Sequence, residues 1–377
     1  MPTLNQQILS NNNGTVTLDS DYTEDIFIPQ SVSIVIDLNG HRITNSSTTA
    51  YTISNMGNLT LCDSASAKGS VYNAGVRTGC IVNLGNGKVT ISDGIRFETD
   101  APRPNTAAWY YVVNMGKLMV IEDAVVNGLA PNASTVRNGF YTEDNEDGHY
   151  CTLVINGGTY TGPLIPVKND SYGILTINGG TFESQNECVL TWNRCVINGG
   201  TFNTTNNHTI FSGAYTDMGC DGGLTINGGN FQGTKGIIRD LTPSYAPDKT
   251  AMATIAVTGG DFNMTIEAAY LPVGVEMAQV DGRYVLQKVG WDVTDFAPGG
   301  GFANMKRFIL HANTLNYEAG GFTLPTVGFL PVAVMGANAV GGISAYYNPE
   351  NGKVMLYQNG SEASGSIKDL TLVLIGN

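Results

Sequence analysis

The hexapeptide INGGTY at 155–160 returns as INGGTF at 177–182 and 197–202, as INGGNF at 226–231, and in looser form as VTGGDF at 257–262. The start-to-start spacings are 22, 20, 29 and 31 residues. A period of that length holds a few short strands and the turns between them. It is too short to enclose a core alone, so each unit has to stack on its neighbours. No other feature of the chain constrains its fold as strongly.

Upstream lie further copies without the Gly-Gly pair: ISNMGNLTLCD (53–63), IVNLGNGKVTISD (81–93) and VVNMGKLMVIED (112–123). Each has an apolar residue or pair, then Asn-Met/Leu-Gly, then an alternating strand ending in aspartate. Asp63, Asp93 and Asp123 are 30 residues apart each time. Later strands end in Asn156, Asn178, Asn198 and Asn227. Alignment on the last apolar strand residue gives Ile36, Leu61, Ile91, Ile121, Ile155, Ile177, Ile197, Ile226 and Val257, about nine coils.

These coils predict a parallel β-helix, in which equivalent strands pair about 4.8 Å apart and nine coils span roughly 40 Å. Within LTINGGTF (175–182), Leu175 and Ile177 share the inward face and Thr176 the outward one. The Gly-Gly pair provides a corner with φ > 0. Tyr160, Phe182, Phe202, Phe231 and Phe262 are placed to form an aromatic stack on the next side, and the corner Asn and Asp to bond amides or form ladders. A propeller blade needs about 40 residues with four strands, and a leucine-rich signature is absent. Parallel crossovers are overwhelmingly right-handed.

The expected architecture is therefore all-β: a right-handed parallel β-helix over 14–288, then a β-sandwich-like module over 289–377. Residues 1–13 are a cap or attachment segment. Short β-rich runs at Val16–Leu18, Ile26–Ile28 and Val32–Leu38 open the stack, and 271–287 reads as a closing hairpin around Asp281-Gly282. The composition then changes: Trp291 appears, glycines fill 299–301, and there is no further cysteine. Strand candidates there are 306–311, 321–324, 332–336, 342–347, 353–357 and 369–375, with 347–353 a turn. Exposed strand edges at the ends of the helix need cover, which residues 1–13 and the C-terminal module are expected to supply. The module is also a candidate for trimerisation or attachment.

The formal charge of −13 divides as −2 in 289–377, with four Lys/Arg against six Asp/Glu, and about −11 in the rest. A surface of that sign repels phosphate backbones and argues against nucleic-acid partners. The N-terminus has neither a basic nor an apolar signal-peptide region, and no apolar run is long enough to span a bilayer. Cysteines 62, 80, 151, 188, 195 and 220 include no C-x-x-C pair. They read as small apolar residues in a reduced interior, with Cys188 and Cys195 as one pair that a turn could bring together.

The INGGTF runs, the opening IVIDLNGHRIT (34–44) and the closing VDGRYVLQK (280–288) resemble β-helical repeat regions of gut bacterial surface proteins and of their phages. The C-terminal SAYYNPENGKVMLYQNGSEASGSIKDLTLVLIGN (344–377) resembles terminal β-modules of tailed-phage head fibres and tail appendages. What this likeness implies is a structural virion-surface protein. It would be made in the host cytoplasm and released by lysis, a homotrimer in contact with other virion proteins and adhering to host-surface polysaccharide. Alternatives are a polysaccharide-degrading tailspike and a bacterial adhesin. The absence of a signal, sorting motif or anchor departs from the last.

No catalytic, cofactor-binding or metal residue is assigned, and the chain is expected not to be an enzyme. Glycoside hydrolysis needs two carboxylates about 5–10 Å apart. Asp63, Asp93 and Asp123 could line up as a row, but their place in the repeat marks them as corner caps. Lys88, Arg96, Lys117 and Lys168 show no clustering beside carboxylates that a lyase would want. The acidic run Glu143–Gly148 echoes a calcium loop, yet Val154 stands where such a loop needs a bidentate glutamate. It reads as a solvated insertion or a weak cation site. Histidines 41, 149, 208 and 311 are isolated. Trp109-Tyr110-Tyr111 and Tyr141 are candidates for sugar stacking or for packing. The glycines at 299–301 are followed by no Gly-Lys-Ser/Thr and form no phosphate loop.

Overall fold

The structure, a computed structural model, describes residues 2–75, 78–99, 109–128, 133–140, 148–216, 219–249, 254–272 and 275–288. Beyond these it describes 292–296, 306–317, 322–323, 331–338, 343–348, 353–358, 361–363 and 365–376. They fall into two compact units, 1–270 with 279–285, and 271–278 with 286–377.

The first unit is a three-sided parallel β-helix. Its first sheet runs from Thr15–Thr17 through Ser33–Asp37 and Asn58–Cys62 to Ile255–Val257 by nine successive parallel pairings, hence ten rungs. Every pair in the repeat alignment is realised: Ile36 opposes Leu61, Ile91 opposes Ile121, Ile155 opposes Ile177, and so on to Ile226 and Val257. The added rung puts Val16 opposite Ile36. Apart from Val16 at 4%, these column residues are completely buried. Period-two alternation sends Leu175 and Ile177 inward and leaves Thr176 half-buried outside.

The second sheet follows the Gly-Gly corner and carries the aromatic column. Tyr160, Phe182, Phe202, Phe231 and Phe262 oppose one another in successive rungs and are all fully buried. Ring centroids lie 4.9, 4.8, 4.8 and 5.1 Å apart, with planes within 4–15°. The rung spacing of the sheet sets that separation. The two glycines do different jobs. Only the second has positive φ (+107° at Gly180, +110° at Gly200). The first lies against the coil below, where a Cβ on Gly179 would stand 2.6 Å from the Asn156 carbonyl oxygen.

The third sheet includes Ile26–Ile28, Ile53–Asn55, Val167–Asn169 and Val189–Thr191. The long strands Ile81–Ile91 and Trp109–Ile121 bend round its corner and serve the third and first sheets in turn. At that corner the Asn of each Asn-Met/Leu-Gly motif turns inward. Asn55 Nδ2 donates to Asn83 Oδ1 (2.8 Å), Asn83 to Asn114 (2.9 Å), Asn114 to Asn138 (2.8 Å) and Asn138 to Asn169 (2.8 Å); Asn169 donates to Thr191 Oγ1 (3.0 Å). All six are completely buried. Each amide also donates to carbonyls that open neighbouring first-sheet strands, as Asn83 does to Gly87 and Leu118. Buried amides demand such partners, and within the ladder, among the described residues, only Asn55 Oδ1 at its start has none. A second ladder runs on the outside through Asn156, Asn178, Asn198 and Asn227, ending at Thr258 (2.7–2.8 Å).

Helix α1 (Leu4–Ser10) begins with a Thr3–Gln6 capping box and buries Leu4 and Ile8 completely. Asn5 ties it to the first coil, accepting from the Phe27 amide and donating to Glu24 and the Asp25 carbonyl. At the far end, Arg283–Lys288 pairs antiparallel with Asp261–Phe262. Its hairpin partner is Val275–Val280, and the intervening Asp281 (φ +50°) and Gly282 (φ +81°) are both left-handed, as a type I′ turn requires. Arg283 locks the hairpin down, donating to the Asp261 carboxylate, to Asn230 Oδ1 (2.9 Å) and to the Phe231 carbonyl (3.1 Å).

The second unit has two antiparallel sheets. One orders Asp292–Phe296, Lys306–Tyr317, Gly365–Gly376 and Pro331–Asn338. The other is built from Phe322–Thr323, Lys353–Gln358, Ile343–Asn348 and Ser361–Glu362. Each strand candidate overlaps one of these, and Val354, Leu356, Leu370 and Leu372 are fully buried. Trp291, Gly299–Gly301 and the centre of the 347–353 turn lie outside the described residues.

Candidate functional site

The corner between the third and first sheets is short in most coils, but 139–150, 213–223 and 241–254 are insertions there. From them and from Trp192, aromatic side chains gather on the outside. Trp192 lies edge-to-face with Tyr245 (5.1 Å, 80°) and with Tyr215 (5.9 Å, 64°), and the two tyrosines are 5.7 Å apart. One ring comes from each of three successive coils. Their backbones are tied down: Trp192 N–H donates to the Asn169 carbonyl, Gly222 N–H to the Trp192 carbonyl, and Ala214 N–H to Thr242 Oγ1. Tyr245 is 48% exposed and Trp192 half-buried. Two rungs back, the exposed Tyr150 packs on Tyr172 (5.5 Å), and the Arg194 guanidinium lies 5.9 Å over the Tyr150 ring. Asp221 and Lys249 form an ion pair at 3.3 Å on the same insertions.

The aromatics singled out in the sequence have another fate. Tyr110 and Tyr111 are buried, and Tyr110 packs with Val82, Val113 and Met115. Trp109 lies in the strand Trp109–Ile121 with its side chain outside the described residues, as is Tyr141. Trp192, Tyr215 and Tyr245 carry no motif. Tyr215 and Tyr245 have the signal that each falls where a coil is interrupted, and Trp192, at a short corner, has none.

All three aspartates of the row sit at the corner, but only the Asp63 carboxylate caps it with several backbone amides. Asp63 accepts amides from Gly40 (3.1 Å), Ala65 (2.9 Å) and Gly69 (2.5 Å) and is 1% exposed. Asp93 accepts from Ser92 Oγ and turns the chain with φ +65°. Asp123 is exposed and takes the Gly94 amide on its carbonyl. Asp37 joins this edge. Burial opposes its charge, but the Ser64 and Asn39 donors and Lys68 outweigh it and hold the carboxyl below its usual pKa. Oxygens filled by amides are poor bases and poor cation ligands.

Lys168 corrects the expectation that the lysines stand apart from carboxylates. Its Nζ lies 2.9 Å from Asp170 Oδ1 while Arg137 Nε holds Asp170 Oδ2 at 3.1 Å, a largely buried ion triad. Arg96 likewise sits 3.3 Å from Glu98, which also pairs with Arg42. Lys88 and Lys117 are exposed. A trough of about 310 Å³ on the outer side of the first sheet, lined by Ser33, Asn58, Thr60, Lys88 and Thr90 among others, contains no carboxylate.

All six cysteines are free, so Cys188 and Cys195 do not pair. Burial pushes the thiols of Cys151 and Cys195 up to about 12. Cys62 rises to about 11 through burial and the nearby Asp37, Asp93 and Asp63. His41 lies 3.4 Å from Asp21, and His149 bonds the Met115 carbonyl and packs edge-on against Phe140. Burial, with Arg239 and Lys235 near, lowers the pKa of His208. His311 is in the strand Lys306–Tyr317, its side chain outside the described residues. Of the acidic run, 143–147 lies outside them as well. Among the described residues no His/Cys/Asp/Glu group is arranged to hold a metal, and no helix is long and apolar enough to cross a membrane. No protein-family model, no curated protein and no solved structure matches the chain.

Proposed function

We propose that the chain is a structural protein of a tailed phage particle, a head fibre or tail appendage, whose β-helix holds out an adhesive flank. The observation that carries the structural reading is the pair of unbroken amide ladders flanking the aliphatic and aromatic columns. Each coil templates the next, which suits a rigid load-bearing module and demands nothing of its surface chemistry. The use of the Asp63 and Asp37 carboxylates as amide acceptors supports a non-catalytic role for them. The phage assignment draws on the likeness of the repeat and of the C-terminal segment, and the assembly proposed is a homotrimer.

Sedimentation of the purified protein tests the assembly: a species of three chains is expected, and a stable monomer would count decisively against a fibre. Incubation with host capsule or wall polysaccharide tests the rest. The polymer should be recovered at its original length, whereas release of oligosaccharides would make the protein a degrading tailspike.

A further inference from the structure

The corner insertions bring together features that the rod itself does not need. Trp192 packs edge-to-face on both Tyr245 and Tyr215, and the two tyrosines tilt against each other, which fixes the three rings while leaving ring surface toward solvent. Tyr150 lies two rungs back, at 42% exposure. Large rings at a solvent-facing corner add nothing to a core that the aliphatic and aromatic columns already fill. Arg194 is the second observation. Arg42, Arg96, Arg137 and Arg283 each hold a carboxylate, and Arg239 lies over the Phe211 ring with Glu187 near. Arg194 is exposed, and among the described residues no carboxylate lies within ion-pair distance of it, although the chain carries 32 acidic residues against 19 basic ones. It rests over the Tyr150 ring instead, a posture that holds the guanidinium plane while leaving its edge free for a bidentate oxygen pair.

We propose that this corner binds an extended, carboxylate-bearing polysaccharide laid along the helix axis. This rests on the adhesive reading above and names its ligand class. The C–H face of a pyranose ring meets the negative face of Trp192 or Tyr245. The three rings converge within 6 Å of one another and form a single platform, and a chain laid along the axis from that platform reaches Tyr150 and Arg194. Lys249 and Asp221 offer a donor and an acceptor to hydroxyls. Arg194 takes a carboxylate as a forked, charge-assisted pair. The chain's net negative charge opposes a densely charged polymer, but beyond roughly 8 Å that repulsion is screened at physiological salt. A local arginine therefore selects sugars with spaced acids.

The test is calorimetric titration of the full chain with hyaluronan oligomers, in which a uronate alternates with a neutral sugar, and, separately, with a neutral glucan. The acidic oligomer is expected to bind, more weakly as salt is raised. Trp192→Ala should weaken it by about tenfold or more, and Arg194→Gln by about tenfold. Trp192→Phe should restore most of the binding, and unchanged melting would show that each variant is folded. Tyr245→Ser, at the most exposed ring, serves if Trp192→Ala does not fold. If the glucan binds equally well and Arg194→Gln changes nothing while Trp192→Ala weakens both, the acidic class is overturned and the adhesive flank stands. If neither glycan binds, or the ring variants bind like the parent, the adhesive reading falls with it.

Discussion

Asn114 occupies the middle of the inner ladder, donating to Asn138 and to the Thr152 carbonyl and accepting from Asn83. Replacing it by alanine leaves buried polar groups on two neighbouring coils without their partner. A loss of about 2–4 kcal/mol is expected in chemical denaturation, where the exposed Asn206 should cost little. Gly199 and Gly200 make a sharper contrast. A Cβ on Gly199 stands 2.7 Å from the Asn178 carbonyl oxygen, and Gly200 has φ +110°. Alanine at either should cost about 1–3 kcal/mol, for clash in one case and backbone strain in the other. Glu187 lies buried, and desolvation, only partly offset by Arg239, raises its carboxyl pKa above the usual range. A carboxyl raised on folding withdraws stability as pH climbs past its unfolded value. Glu187→Gln is therefore expected to raise the melting temperature at pH 7 and to leave it unchanged well below the ordinary glutamate range. A melt series across pH checks both sign and window.

At the level of elements, the corner device was legible and the inner ladder was not. INGGTF announces its strand, bend and aromatic by spacing alone, and the outer asparagine ladder follows from the same motif. The Asn of Asn-Met/Leu-Gly comes before the alternating strand, after a short apolar run, and nothing local says that it faces inward. That depends on where the third sheet meets the first. Helix α1 is a further case. Seven residues with only Leu4 and Ile8 buried make a weak helix signal, and the segment is held by Glu24 and Asn5 rather than by its own propensity. Replacing Leu4 and Ile8 together by alanine should uncover the first coil, with a loss of about 2–5 kcal/mol for each side chain. Lowered melting and faster amide exchange at Ile26–Ile28, with little change at Ile255–Val257, would locate the damage at that end.

For the whole β-helix, stability is approximately a sum over coils and the interfaces between them. Removing residues 178–197 joins Ile177 to Asn198 and deletes one coil with every register kept, because Ile177 and Ile197 face each other across that rung. The shortened chain is expected to fold with an unchanged circular-dichroism shape per residue. Deleting residues 178–187 instead strands half a coil and should leave the protein unfolded or aggregated.

Spacing along the chain was enough for the coil count to within one, the residues of the aliphatic and aromatic columns, and the corner position of the aspartates. A solenoid repeats one local solution, so spacing in the chain becomes spacing in space. Which side chains meet on the outside depends on how the coils stack. Trp192, Tyr215 and Tyr245 are separated by 23 and 30 residues in the chain, yet stacking brings their rings within 6 Å. The same stacking sets Lys168 beside Asp170 and Arg137. Insertions fall outside the period, so only the stacking of the coils that bear them decides which of their side chains meet.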